Sequence, residues 1–157
     1  MQIASAAALV NEQQRRRMVE KITKSVGGLK GKTFAMLGLS FKPNTDDLRD
    51  APALAIAQEL IKQGATLRVY DPAALEEACR TVSGLVPCKD AYEAAEGADA
   101  LILMTEWNQF RTLDFERLKT ALRQPIFFDL RNVYEPDRVA SFGLRHISVG
   151  RPSKVPS

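Results

Sequence analysis

The feature that most constrains the fold is the alternation of short apolar runs with segments of helical periodicity along residues 33–150. The first apolar run, residues 33–39, is continuous, which is typical of a strand buried on both faces of a parallel sheet. Predicted strands occupy residues 33–39, 66–70, 98–105, 125–130 and 144–150, and predicted helices occupy residues 51–64, 90–97, 114–124 and 136–141. This alternation predicts an α/β fold: a Rossmann-like, open, mostly parallel sheet with helices on both faces, preceded by one long helix.

The long helix precedes the alternating region. Residues 5–25 are rich in Ala, Gln, Glu, Arg and Lys, and the "GGLKGK" segment at residues 27–32 interrupts the pattern. Apolar residues are sparse in this helix, so we expect it to stand apart from the domain and to need a partner outside it. The predicted organisation is therefore a helical segment at 1–28, a domain at 29–150 and a disordered tail at 151–157.

Composition and charge restrict the functional classes. The 157 residues contain no apolar run long enough for a transmembrane helix. Arg15, Arg16 and Arg17 follow the mildly apolar start, the reverse of a secretory signal, so we expect a cytoplasmic protein with no membrane partner. The net charge of +3 and the pI of about 9.0 permit an anionic ligand. The three arginines are consecutive and lack an aromatic platform, which argues against nucleic acid.

The cysteines and the histidine give no metal or redox motif. Cys79 and Cys88 have neither CxxC spacing nor a nearby histidine pair, and we expect two reduced thiols and no metal site. His146, the only histidine, lies in a strand-like segment and is interpreted as structural.

Three charged loops follow predicted strands, at residues 40–50, 105–111 and 129–134. Because ligands of such sheets bind beyond the carboxyl ends of the strands, these loops form the candidate site. The dinucleotide motif GxGxxG is missing, since Gly38 stands alone after the first strand. Asp71, at the end of the second strand, is either a capping residue before Pro72 or a ribose ligand.

Any phosphate at this edge must therefore be bound by side chains. Lys42 can act as a point charge, and Arg49 and Arg131 as two-pronged donors. Asp46 and Asp47 can orient these cations or accept sugar hydroxyls. The alternative is a solvated loop with local salt bridges, each worth about 0–1 kcal/mol.

Two further observations complete the candidate site. Trp107, the only tryptophan, is interpreted as a lid, a stacking surface or a core residue. No nucleophile–base pair, metal cluster or pair of carboxylates occupies a plausible position at a strand end, so no residue is predicted to be catalytic. These residues predict a binding domain.

The segment "LGLSFKPNTDDLRDAPA" at residues 37–53 resembles the C-terminal domain of the nucleotide-sugar dehydrogenases, the UDP-glucose/GDP-mannose dehydrogenase family. The resemblance extends in order through "VNEQQRRRMV", "RVYDP", "ADALILMTEWNQFR" and "FFDLRNVYEP", from residue 11 to residue 136. It implies a four-electron oxidation of a nucleotide sugar, UDP-glucose to UDP-glucuronate, with two NAD⁺. It also implies an N-terminal NAD-binding domain, a central helix that forms a homodimer, and a C-terminal domain that binds the UDP-sugar.

The resemblance assigns roles to four residues. Phe41 and Lys42 match a Phe-Lys pair that contacts the UDP-sugar, and Arg131 matches the Arg of an Asp-x-Arg motif that binds the UDP portion. Arg49 matches an Arg that reaches NAD bound mainly by the other domain. The nucleophilic Cys of the family's GGxCxPKD-type segment has no counterpart in this sequence. We therefore expect an excised domain, with residues 1–28 as the end of the dimerisation helix, that is inactive alone.

Alternative ligands remain within and outside the family. UDP-N-acetylmannosamine and GDP-mannose dehydrogenases share the general form of the first loop, whereas "TEW" and "DLRNVYEP" favour UDP-glucose. A non-catalytic nucleotide-binding module is the alternative from another class.

Overall fold

The computed structural model describes residues 2–40, 43–48 and 51–148, with side chains from residue 12 onward. A six-stranded, all-parallel sheet has the order β3-β2-β1-β4-β5-β6, which is the strand order of a Rossmann fold. In chain order the elements are α1 (Gln2–Val26), β1 (Thr33–Leu37), α2 (Pro52–Lys62), β2 (Thr66–Tyr70), α3 (Leu75–Thr81), β3 (Leu85–Pro87), α4 (Ala91–Ala95), β4 (Ala100–Leu103), a 3₁₀ turn (Asn108–Arg111), α5 (Phe115–Ala121), β5 (Ile126–Asp129), α6 (Pro136–Ser141) and β6 (Arg145–Ser148). The predicted fold class is confirmed.

Helices cover both faces of the sheet because successive strand residues point to opposite sides. Phe34 and Met36 of β1 pack in a core layer with side chains of α1, α2 and α3. Ala35 and Leu37 of the same strand pack in a second layer with side chains of α4, α5 and α6. A strand buried on both sides must be apolar throughout, which explains the continuous apolar run in the sequence.

The first helix packs on the domain, contrary to our expectation that it stands apart. Ile22 is fully buried, and Val19 and Val26 are buried with it in the core layer that α2 shares. These residues recur at three- and four-residue intervals, so a narrow apolar stripe suffices to attach the last turns of α1. Lys21 also donates a hydrogen bond to the carbonyl of Ser148 at the end of β6. The preceding turn is mostly exposed at residues 12–17.

The sequence predicts less than the structure shows between β2 and α4. Asp71 and Pro72 indicate only that a helix or turn opens there, whereas the structure has both α3 and β3 before α4. β3 has three residues, ends in Pro87 and pairs only with β2. An edge strand needs one ladder partner and tolerates proline, so its sequence lacks the apolar signal of a central strand. Among the described residues, no helix is long and apolar enough to cross a membrane.

Candidate functional site

The carboxyl ends of β1, β4 and β5 bring three loops to one edge of the sheet. Thr105 after β4 donates from Oγ1 to the carbonyl of Ser40 after β1, at 2.5 Å. The backbone N–H of Leu130 after β5 donates to the carbonyl of Leu103 at 3.2 Å. The prediction that the three charged loops share one edge is thus confirmed for the described residues.

Gly38 allows the loops after β1 and β4 to approach closely. Its φ is +89°, and a Cβ added there would lie 2.5 Å from the Cβ and 2.7 Å from the backbone nitrogen of Thr105. A side chain is excluded both by backbone conformation and by space. Gly38, which stands alone after the first strand, therefore allows close packing between two loops at the point where the strand order reverses.

Asp71 is committed to backbone groups. Its Oδ1 accepts from the N–H groups of Ala73 and Ala74, each at 2.8 Å, and its Oδ2 accepts from those of Leu39 at 2.7 Å and Ser40 at 3.5 Å. The side chain is 3% exposed. Of the two interpretations, the structure supports a bond to backbone over a ribose ligand, although the carboxylate binds the turn before α3 and the N-cap residue of that helix is Ala74. With this carboxylate occupied and the glycine motif missing, the described residues do not fit a dinucleotide bound in the usual Rossmann position.

Asp129 organises the loop after β5. Its carboxylate accepts from the N–H groups of Val133 at 2.9 Å and Tyr134 at 2.8 Å, and from Nε2 of His146 at 3.2 Å. Burial raises the pKa of Asp129, but the bonds from His146, Val133 and Tyr134 outweigh burial and lower that pKa below its usual value. An ionised carboxylate only accepts hydrogen bonds, so Nε2 of His146 carries the proton. The structural interpretation of His146 is supported, because its side chain is fully buried.

Tyr134 fixes the other end of the same loop. Its hydroxyl donates to the carbonyl of Phe110 and accepts from the N–H of Leu113 at 3.0 Å. Burial raises the pKa of Tyr134 to about 12. Asn132, between the two anchors, has a φ of +54°, a conformation that Asn adopts more readily than most residues. The loop after β5 is thus held from both sides by buried hydrogen bonds.

Arg131 lies on this loop and forms an ion pair across to the loop after β4. Its Nε lies 2.7 Å from Oε2 of Glu106, and its Nη2 lies 3.3 Å from Oε1. The two side chains are 29% and 22% exposed, respectively. The predicted ligand Arg131 is therefore at the expected edge. Phe41, Lys42 and Arg49, the other predicted ligands, lie outside the described residues, as does the predicted tail at 151–157.

Asp46 and Asp47 line an acidic groove with the α3 carboxylates of Glu76 and Glu77. The groove has a volume of about 520 Å³ and also contains Arg80, which pairs with Glu77 at 2.7 Å. The predicted role of Asp46 and Asp47, to orient Lys42 and Arg49, stays a prediction because both cations lie outside the described residues.

Trp107 packs against the core, and the two cysteines lack the lowered pKa of a nucleophilic thiol. Trp107 is partly buried against the second core layer, which favours the core interpretation over a lid. Both cysteines are free, as predicted. Burial raises the pKa of the Cys79 and Cys88 thiols, the opposite of what a nucleophilic thiolate requires.

Sequence reasoning missed the residues that hold Arg131. Glu106 lies in the "TEW" motif with no predicted role, and Asp129 and Tyr134 only mark the ends of the charged loop at residues 129–134. One signal was available for Glu106: it follows the strand next to the one that precedes Arg131, so opposite charges were bound to meet at this edge. Nothing in the sequence pointed to the tyrosine hydroxyl.

The fold and this edge define a Rossmann-like domain with a cationic side chain beyond its strand ends. Residues 35–136 match the family model described as UDP-glucose/GDP-mannose dehydrogenase family, UDP binding domain. The match covers more than half of the chain, and the chain belongs to this family.

Individual relatives agree with the family. A UDP-glucose 6-dehydrogenase of Rhizobium meliloti is 46% identical over 97% of this chain and 35% of its own length. A UDP-glucose 6-dehydrogenase of Bacillus subtilis is 40% identical over 94% of this chain and 34% of its own length. The structure of a UDP-glucose dehydrogenase from Pyrobaculum islandicum is similar, with a TM-score of 0.67 and 34% identity over 73% of this chain and 27% of that one. The chain therefore spans about a third of the length of the curated relatives it matches.

Proposed function

We propose that this chain is the UDP-sugar-binding domain of a UDP-glucose 6-dehydrogenase. Phe41, Lys42 and Arg131 contact the UDP-sugar, and Arg49 reaches NAD. The observation that carries the proposal is the position of Arg131: a guanidinium at the carboxyl edge of the sheet, on a loop held by Asp129, in a chain of this family. A guanidinium matches the geometry of phosphate oxygens and stays charged at all physiological pH values.

The whole protein would oxidise the C6 alcohol of UDP-glucose to a carboxylate. One alcohol, one water and two NAD⁺ give one carboxylate, two NADH and three protons. NAD supplies the hydride acceptor and is bound mainly by a domain outside this chain. We propose that this chain alone has no turnover, because the family's nucleophilic Cys segment has no counterpart in its sequence and NAD is bound mainly by another domain.

The organisation of the chain is part of the proposal. Residues 1–28 are the end of a dimerisation helix, residues 29–150 the binding domain and residues 151–157 a disordered tail, in a cytoplasmic homodimer. The exposed turn at residues 12–17 supports a contact through α1, since the later turns already pack on the domain. Light scattering on the chain should give a dimeric mass, and a monomer at all concentrations would contradict this part.

The binding proposal is tested by titration with nucleotide sugars. Trp107 adjoins Glu106, the partner of Arg131, so its fluorescence should respond to binding. We expect UDP-glucose to bind with a Kd of about 1 mM to high micromolar, since a few charge-assisted hydrogen bonds must offset the entropy of association. UDP-N-acetylmannosamine and GDP-mannose should bind more weakly.

Two arginine variants provide the control. Arg131→Ala should weaken UDP-glucose binding at least tenfold, whereas Arg123→Ala, exposed just before β5 at the opposite end of the strand, should leave it unchanged. Tighter binding of GDP-mannose than of UDP-glucose would replace the proposed substrate. No saturable response to any of the three sugars would refute the binding role.

A further inference from the structure

The pair between Glu106 and Arg131 joins two neighbouring loops at the proposed ligand edge. The carboxylate meets the guanidinium side-on, through Nε at 2.7 Å and Nη2 at 3.3 Å. With 29% and 22% of their side chains exposed, the two residues are largely shielded from water, so the pair is screened less than a surface ion pair. Both backbones are fixed, because each loop directly follows a strand of the sheet.

We propose that Glu106 is a positioning residue that fixes the guanidinium plane of Arg131 before the diphosphate of the ligand arrives. This inference rests on the proposed function. Arg131 is a long side chain, and an unrestrained guanidinium would lose rotamer freedom on binding. A carboxylate that already binds the guanidinium side-on orders it before the ligand arrives, so less freedom is lost on binding. Preorganisation therefore favours phosphate binding even though Glu106 brings a negative charge to the edge.

Glu106 could also act in the opposite direction, by neutralising Arg131 and so lowering the affinity for the diphosphate. A carboxylate near an anion repels it, so a Glu106 that merely neutralised Arg131 would weaken diphosphate binding. Removal of its charge would then strengthen binding. Preorganisation and neutralisation thus predict changes of opposite sign in UDP affinity.

The experiment is a double-mutant cycle on the 157-residue chain, with calorimetric titration of UDP and of uridine. Glu106→Gln should weaken UDP binding about tenfold and leave uridine binding unchanged, because Arg131 acts on phosphate. Glu106→Asp, which keeps the charge on a shorter side chain, should weaken it by a smaller factor. In an Arg131→Ala background, Glu106→Gln should have no further effect.

Glu96→Gln, an exposed carboxylate after α4, serves as the matched control and should bind UDP like the unmodified chain. Melting curves of all variants show whether a change in affinity reflects unfolding. Unchanged or tighter UDP binding by Glu106→Gln would overturn the inference while the proposed function stands. Failure of the unmodified chain to bind UDP would overturn both.

Discussion

Two buried aspartates lie at the carboxyl ends of β2 and β5, one strand away from the central pair β1 and β4, and their hydrogen bonds have different effects. Asp71 follows β2 and binds four backbone N–H groups, two in its own loop and two in the loop after β1. Asp129 ends β5 and binds two backbone N–H groups of its own loop together with His146 of β6. Asp71 therefore joins two loops, whereas Asp129 holds a single loop in place. The loop held by Asp129 is the one that carries Arg131, so the proposed ligand-binding group and its support are separate residues.

The largest expected effect is at Asp129. Asp129→Ala should lower the free energy of unfolding by about 4 kcal/mol, because it leaves two backbone donors and a histidine N–H without a partner. The site is fully buried, so water cannot replace the carboxylate easily. His146 would then lose its hydrogen bond at Nε2, and its Nδ1 already has no partner within the part of the chain that the structure describes. Urea unfolding followed by circular dichroism measures the change.

Glu96→Ala, at an exposed position, is the control for Asp129→Ala and should change stability by less than about 0.5 kcal/mol. A loss below about 1 kcal/mol for Asp129→Ala would mean that the loop after β5 does not depend on its aspartate.

Gly38→Ala should rank second, with a loss of about 3 kcal/mol. The new Cβ meets both the side chain and the backbone of Thr105, and the φ of +89° is unfavourable for any residue with a Cβ. Gly97→Ala is the matched control, because Gly97 also has a positive φ of +71° but nothing within 4 Å of the added carbon. Its loss should be about 1 kcal/mol. Equal losses would show that conformation alone, and not loop contact, requires glycine at position 38.

Asp71→Ala should lower the free energy of unfolding by about 2 kcal/mol, less than Asp129→Ala or Gly38→Ala. Its fourth contact, to Ser40 at 3.5 Å, is long, and one of its partners, Ala73, is exposed, so water can replace the carboxylate at that N–H. Asp71→Asn should be nearly as harmful, because an amide NH₂ would face backbone donors on one side. Chemical denaturation of the two variants beside Asp129→Ala tests the ranking, and a larger loss for Asp71→Ala would reverse it.

The sequence predicted the fold better than the site, for physical reasons. A strand such as β1 is buried on both faces, so its apolar run is unmistakable, whereas β3 at the edge needs little burial and was missed. The position of Arg131 at the carboxyl edge was predicted because the residue directly follows a strand, while its role as a ligand stays a prediction. Asp71 stayed ambiguous, since an aspartate at a strand end binds a ribose hydroxyl or a backbone N–H equally well. Distinguishing the two required the positions of Leu39 and Ala74 relative to the carboxylate.

The smallest effect concerns acid and tests how His146 acts on Asp129. Because the folded pKa of Asp129 lies below its ordinary value of 3.8, its contribution to stability is complete above that pH and is lost as the pH falls through the lower, folded pKa. His146→Leu removes the first of the bonds that lower this pKa while burial, which raises it, remains. The folded pKa should then rise, and the acid-induced loss of stability should shrink. His146→Gln can still donate a hydrogen bond to the carboxylate, so this variant should retain more of the acid-induced loss of stability than His146→Leu. Urea unfolding at several pH values between about 2 and 5 compares the slopes, and identical slopes in the unmodified chain and His146→Leu would show that His146 does not set the titration of Asp129.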